Sequence, residues 1–272
     1  MQGLPKTIYK YRTWSNENHR TILTEQEVFL SRPTSFEDPL DCKLLKRYDL
    51  ITNQQIYDKY LTASKEDHPN WTRQQHRKFA RDWFKKSPMH NKEYINQLQE
   101  EHFKEFDSRF GVLSLTANQS NFIMWDKYSE HHKGFCVGFN SLRMFPYLGG
   151  GGPVKYYEKL PDILPLDDYQ DEHYKQVFSK ENKWEFEEEY RTHKFFERPM
   201  LDEERKIKLP IDCFTEIIFG VQMQNDVKDE ITNICEMNKM KITFFEEIVD
   251  FDNESVSISK KVTSPVSINM SV

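Results

Sequence analysis

Between Trp184 and Arg191 the chain reads WEFEEEYR, four carboxylates framed by two aromatics and followed by an arginine. A helix would stack Glu185 on Glu189 in mutual repulsion and set Glu187 opposite Arg191, the pattern of a solvated face. A strand gives different chemistry. Alternation sends Trp184, Phe186, Glu188 and Tyr190 to one side and Glu185, Glu187, Glu189 and Arg191 to the other. Glu187 and Glu189 then form an E-x-E pair with Arg191 on one surface. The strand is the expected state, with Glu185 and Glu188 as solvated bystanders.

Other chemistry-bearing residues are spread along the chain. Tyr9, Tyr11 and Arg12 fall on an early strand, and Ser31 near the end of a second one. In FEDPLD, Asp38 and Asp41 flank Pro39. With Glu187 or Glu189 they would offer oxygen ligands to Mg²⁺, as a metal-dependent nuclease or phosphoesterase needs, although Asp before Pro also simply starts a turn. In MWDKYSEHHKGF, Trp125, Tyr128 and His132 share one helical face, toward either core or pocket. Adjacent His131 and His132 would point about 100° apart on that helix and cannot easily share a metal. Lys133 and Gly134 fit a helix end, the glycine supplying a positive φ. No G-x-x-x-x-G-K, G-x-G-x-x-G or G-x-S-x-G stretch occurs, and GGGGP (149–153) reads as a turn.

The elements that must position these groups follow from periodicity and punctuation. TIYKYRTW is β-branched and aromatic, hence a strand; Ser15 or Asn16 can cap a short helix after it, and EVFLSRP is a second strand stopped by Pro33. From 43 to 107 the chain has no glycine and keeps helical spacing, which predicts a helical insert that Pro69 and Pro88 divide into three. Strand signals resume at FGVLSLTAN, then a helix over 121–132, the strand GFCVGFN, VKYYEKL, and a polar helix over 165–183. EEYRTHKFF, IKLPIDCF and TEIIFGVQM follow, then a helix over 225–238 and the strand KITFFEEIVD. The fold class is therefore α+β, with a mixed, mostly antiparallel sheet. Its core domain takes in 1–42 and 108–250, and 251–272 is a tail or an added edge strand.

Composition limits the functional classes. At 272 residues, with aromatics at 14%, the chain can bury a large core, so its mean hydropathy of −0.81 reflects a charged surface rather than disorder. Membrane-spanning runs and a signal-peptide core are absent, which predicts a cytoplasmic protein. Cys42, Cys136, Cys213 and Cys235 are scattered without C-x-x-C spacing and are expected to be reduced and mostly buried. A net charge of −6 gives no overall attraction for nucleic acid, but leaves room for a local basic surface.

Taken as a set, YKYR, FLSRPTSFEDPLD, GVLSLT, MWDKYSEHHKGFCVGF, VKY and SKENKWEFEEEYR resemble a bacterial family known only as domain of unknown function 2971, over roughly 9–218. M-W-x-x-Y-x-x-x-H-x-G-F is matched by Met124, Trp125, Tyr128, His132, Gly134 and Phe135. K-x-x-x-W-x-x-E-x-E-Y-R is matched by Lys180, Trp184, Glu187, Glu189, Tyr190 and Arg191. Glu37 stands where that family usually has Asn. The order of parts is also similar to ADP-ribosyltransferases, a fold-level analogy. It implies NAD as cofactor, Glu189 stabilising the oxocarbenium-like ribose, Glu187 serving the acceptor nucleophile, and Tyr11 or Arg12 holding ribose or phosphate. Ser31 would support Glu189, while Trp125, Tyr128 and His132 would line the pocket. The context implied is a toxin or phage-defence effector modifying protein or nucleic acid. A noncatalytic binding module is the remaining alternative.

Overall fold

The structure is a computed structural model, and it describes residues 4–260. β1 (Thr7–Arg12), α1 (Glu17–Thr24) and β2 (Glu27–Phe29) open the chain. Asn16 caps α1 by accepting the Asn18 N–H at 2.9 Å. The insert forms α2 (Asn53–Asp67), α3 (Arg73–Lys85) and α4 (Lys92–Arg109), with Pro69 and Pro88 in the breaks as expected. Local sequence starts each helix. Thr52 and Thr72 stand three residues before Gln55 and Gln75 and make reciprocal capping boxes, and Asn91 caps α4 through the Tyr94 N–H.

The core continues as β3 (Phe110–Thr116), α5 (Phe122–Tyr128), β4 (Phe135–Asn140), α6 (Ser141–Tyr147), β5 (Gly152–Pro153) and β6 (Lys155–Tyr157). After these come α7 (Tyr169–Phe178), β7 (Ser179–Glu181), β8 (Glu189–Phe195), β9 (Lys206–Lys208), β10 (Phe214–Phe219), α8 (Asn225–Met237), β11 (Thr243–Asp250) and β12 (Ser255–Lys260). Eight strands form one sheet in the order β12-β11-β10-β4-β1-β3-β8-β5, antiparallel except for β10 with β11. The expected mixed, mostly antiparallel α+β class is what the chain adopts. β12 supplies the edge strand expected near the C-terminus; residues 261–272 of that segment lie outside the described residues.

Alternation along the strands builds two cores. Ile8, Leu113, Leu115, Val137, Phe139, Ile217 and Phe219 face α1, α6 and α8, whose Leu23, Phe145 and Ile231 are buried with them. Tyr9, Tyr11, Cys136 and Ile218 face the other way, against Met124 and Trp125 of α5. The four cysteines are free and buried, as expected.

One irregularity shapes the molecule. β1 and β3 pair only at Tyr9 with Thr116, and further along β3 the partner of Val112 is Ser31, through bonds of 2.7 and 2.9 Å. The two strands diverge between these points, so the sheet is split where side chains of both strands meet.

Three expected elements differ. The helix over 121–132 stops at Tyr128, because Glu130, His131 and His132 are all left-handed, with φ of 55, 54 and 63°. The polar helix is shorter than 165–183, and Lys180 sits on β7, paired in parallel with β6. WEFEEEYR is not one strand. Asn182–Glu187 is a 3₁₀ turn, Glu188 is left-handed at φ 43°, and β8 begins at Glu189.

Gly134 is required for space, the positive φ being carried by Glu130, His131 and His132. A β-carbon at Gly134 would collide with the Arg12 carbonyl and with Ser129. Gly134→Ala is expected to cost about 1–3 kcal/mol, seen as a lower urea midpoint at unchanged slope.

Candidate functional site

The split between β1 and β3 opens as a cleft of about 340 Å³, lined by Tyr9, Lys10, Tyr11 and Arg12 of β1 and by residues 112–116 of β3. The 29–41 segment, α5 and the β7–β8 connection close its other sides, bringing Ser31, Tyr128, Lys180, Trp184, Glu187 and Glu189 to one volume.

The kink that replaces the expected strand is held by specific bonds. Asn118 donates to the Glu188 carboxylate at 2.6 Å, Asn121 donates to the Phe186 carbonyl, and the Glu189 N–H donates to the Tyr156 hydroxyl at 2.8 Å. Glu185 and Glu188 are exposed, whereas Glu187 and Glu189 are buried. A left-handed residue between two glutamates rotates the chain. The pair still converges, because Lys180 donates to Glu187 and, at 3.2 Å, to Glu189.

Glu189 is the more heavily bonded of the pair. Arg191 grips it bidentately at 2.6 and 2.9 Å and Lys180 adds a third bond, with Ser114 close enough to help hold the carboxyl down. Burial opposes its charge, yet Arg191 and Lys180 hold its carboxyl down at about 2. The other edge of Arg191 grips Asp41 at 2.7 and 2.6 Å and the Val177 carbonyl at 2.7 Å. Lys180 is also buried. The carboxylates of Glu189, Glu187 and Asp41 overcome that desolvation and raise it above an ordinary lysine. Three carboxylates against two cations leave one formal negative charge in excess.

Glu187 differs from Glu189 in having room. Its Oε1 accepts from the Tyr128 hydroxyl at 2.6 Å and its Oε2 from Lys180, so each oxygen keeps a lone pair. The Trp184 ring covers this corner, with Lys180 at 4.9 Å and Lys127 at 4.6 Å from its centre; Lys127 reaches on to Glu37 at 3.0 Å.

Lys10 and Arg12 supply the opposite charge. Lys10 bridges the split by donating to the Ser114 carbonyl at 2.6 Å. Among the described residues neither cation has a carboxylate within 4.0 Å. Burial, and then Arg12, lower Lys10 to about 7, while burial takes Arg12 only to about 10, so Arg12 stays charged. His19 is pushed down to about 4 by burial and by these two cations. Its Nδ1 accepts the Thr13 N–H at 3.3 Å, which leaves the proton on Nε2 as a donor.

Of the residues singled out from sequence, Tyr11, Arg12, Ser31, Tyr128, Glu187 and Glu189 line the cleft. Tyr11 spends its hydroxyl on the Asn118 carbonyl at 2.8 Å, and the hydroxyl that supports Glu189 is that of Ser114 rather than Ser31. Trp125 and His132 do not line it. Trp125 is fully buried edge-on against Tyr11 at 5.0 Å, with its N–H on the Gln119 carbonyl. His132, turned by the left-handed run, is buried against Glu247 at 2.6 Å. Asp38 accepts its own turn's Leu40 N–H at 3.0 Å and Asp41 is committed to Arg191. Among the described residues no group of three or more His, Cys, Asp or Glu side chains is placed to hold a metal ion.

Lys10, His19, Ser114 and the role of Lys180 escaped the reading of the sequence. Lys10 had a signal: it is two residues from Arg12 on an alternating strand. Ser114 had none, since its neighbour on β8 is set by register. Comparisons of the chain with family models, curated proteins and solved structures gave no match. No helix among the described residues is long and apolar enough to cross a membrane.

Proposed function

We propose that the chain is an ADP-ribosyltransferase-like enzyme that binds NAD⁺ in the split sheet and transfers its ADP-ribose to a protein or nucleic-acid acceptor. A cytosolic toxin or phage-defence effector is the setting that suits this chemistry. One observation supports it most: a buried carboxylate with free lone pairs, Glu187, shares a cleft with two unpaired cations, Lys10 and Arg12. The cations take the pyrophosphate, with Arg12 able to bind it bidentately and the His19 Nε2–H adding a neutral donor. Aromatic walls from Tyr9, Phe29, Phe36 and Trp184 suit planar rings.

In the reaction the bond between nicotinamide and ribose C1′ breaks, and its electron pair leaves with neutral nicotinamide. Positive charge develops on the ribose. Glu187, backed by the excess negative charge of its network, stabilises that charge, because Glu189 is already bound bidentately by Arg191 and by Lys180. Glu189 instead fixes Lys180, and through it Glu187. The acceptor's nucleophilic atom then bonds to C1′ and releases its proton.

The test follows nicotinamide release and label transfer when the protein is incubated with cell lysate and NAD⁺ labelled in its ADP-ribose half. Release with a labelled macromolecule supports the proposal and identifies the acceptor; no release and no NAD⁺-dependent thermal shift would overturn it. Affinity should also depend on pH. An anion binds the protonated form of Lys10, so NAD⁺ binding is expected to weaken as pH rises through about 7, by at most roughly tenfold per unit. Lys10→Arg should flatten that profile in calorimetric titrations between about pH 6 and 8.5.

A further inference from the structure

The middle helix of the insert has a charge unlike the rest of the chain. Segment 68–92 holds seven Lys or Arg against one acid, Asp82, in a chain whose net charge is −6. On α3, Arg77, Arg81 and Lys85 follow one another at i, i+4 spacing, and Lys78 flanks them; the four cover an arc of about 100° and a length of about 12 Å. Asp82 lies beyond the edge of that arc. The opposite side of α3 is the packed one, with His76 and Ala80 buried and Phe79 partly buried.

Arg77, Lys78, Arg81 and Lys85 are all exposed, and among the described residues none has an acid within 4.0 Å. Some surface cations elsewhere are paired, as Arg32 with Asp202, Arg47 with Asp49 and Arg198 with Glu204 show, and the unpaired ones, such as Lys133, Lys159 and Lys239, are scattered rather than aligned on one helix face. Like charges at i, i+4 destabilise a helix by a few tenths of a kcal/mol per pair, so this face is kept against its own electrostatics. The overall negative charge does not cancel it, because distant acids are screened beyond about 8 Å at physiological salt.

We propose that this face of α3 docks the phosphate backbone of a nucleic acid. The arc has no apolar side chain to serve as the anchor on which protein interfaces depend, whereas nucleic-acid interfaces are polar and strongly positive. Lysines and arginines in a row suit successive phosphates and read no bases, so binding is independent of sequence. The inference concerns docking alone and holds whatever the cleft transforms.

The experiment titrates a fluorescent mixed-sequence DNA duplex of roughly 20 base pairs with the full chain, by anisotropy, across about 50 to 200 mM salt. Wild type should bind, with log affinity falling against log salt at a slope of about −3 to −4, as for four neutralised phosphates. R77E/R81E/K85E should lose at least about 30-fold at the lowest salt, with unchanged circular dichroism. K133E/K159E/K239E removes three exposed lysines elsewhere and changes net charge equally, and it should stay within about threefold. No binding by wild type, equal losses in both variants, or equally tight binding of a poly-glutamate peptide would each overturn the proposal.

Discussion

Replacing Arg191 by Met is expected to lower the unfolding free energy by about 3–5 kcal/mol, the largest single-residue effect on stability in the cleft. Arg191 is fully buried and joins Asp41, Glu189 and the Val177 carbonyl. Methionine fills much of the volume but leaves two buried carboxylates with Lys180 as their shared cation. The acid limb tests the same network. Glu189 is held at about 2, below its ordinary 4.5, so its contribution is full above 4.5 and is lost as pH falls from there toward 2. In Arg191→Met the folded Glu189 carboxyl rises from about 2 toward its ordinary 4.5, so this loss on acidification should shrink. Arg191→Lys keeps a charge without the two forks and should recover only part of the stability. Urea unfolding at pH 7 and pH 4 measures both; an Arg191→Met midpoint equal to wild type would show that the network does not carry stability.

Glu187→Gln is expected to reduce nicotinamide release by about 10²–10⁴-fold while the fold survives. The carboxamide keeps the shape and can still accept from Tyr128, but it removes the charge that faces the cleft. Its stability cost should be that of one altered buried hydrogen bond, about 1–3 kcal/mol. Glu189→Gln should lose activity and stability together, since it breaks the grip of Arg191. Turnover and thermal midpoint measured on both variants separate the roles. A fully active Glu187→Gln beside a folded, inactive Glu189→Gln would return the charge-stabilising role to Glu189.

Much of this could be read from residue order. Thr52 with Gln55 and Thr72 with Gln75 announce two helix starts, and Pro69 and Pro88 sit in the breaks, because capping and proline geometry act over a few residues. Alternation in β1, β4 and β10 placed their apolar side chains on two cores, since side-chain period is a property of the strand alone. The shared site of Glu187, Glu189 and Arg191 was foreseen, though through a strand that begins only at Glu189.

What order could not give is set by distance in the chain. The left-handed Glu188 is held by Asn118 and Asn121, some 65 to 70 residues away, and the placing of Ser114 opposite Arg191 follows from strand register. Helical periodicity put Trp125, Tyr128 and His132 on one face; Trp125 and His132 do meet, ring centres 6.5 Å apart, but three left-handed residues in a row, which periodicity cannot anticipate, turn His132 onto Glu247 and away from the cleft that Tyr128 lines. Residue types and spacing determined the elements, the mixed α+β class and most of the side chains available for chemistry. Tertiary structure alone decided that the sheet splits between β1 and β3, and that Arg191 and Lys180 grip Glu189 while Glu187 stays open. The split depends on pairing between segments about a hundred residues apart, and although Arg191 and Lys180 are near Glu189 in the chain, their grip depends on the Glu188 turn that Asn118 holds and on Asp41 far away, which no local rule encodes.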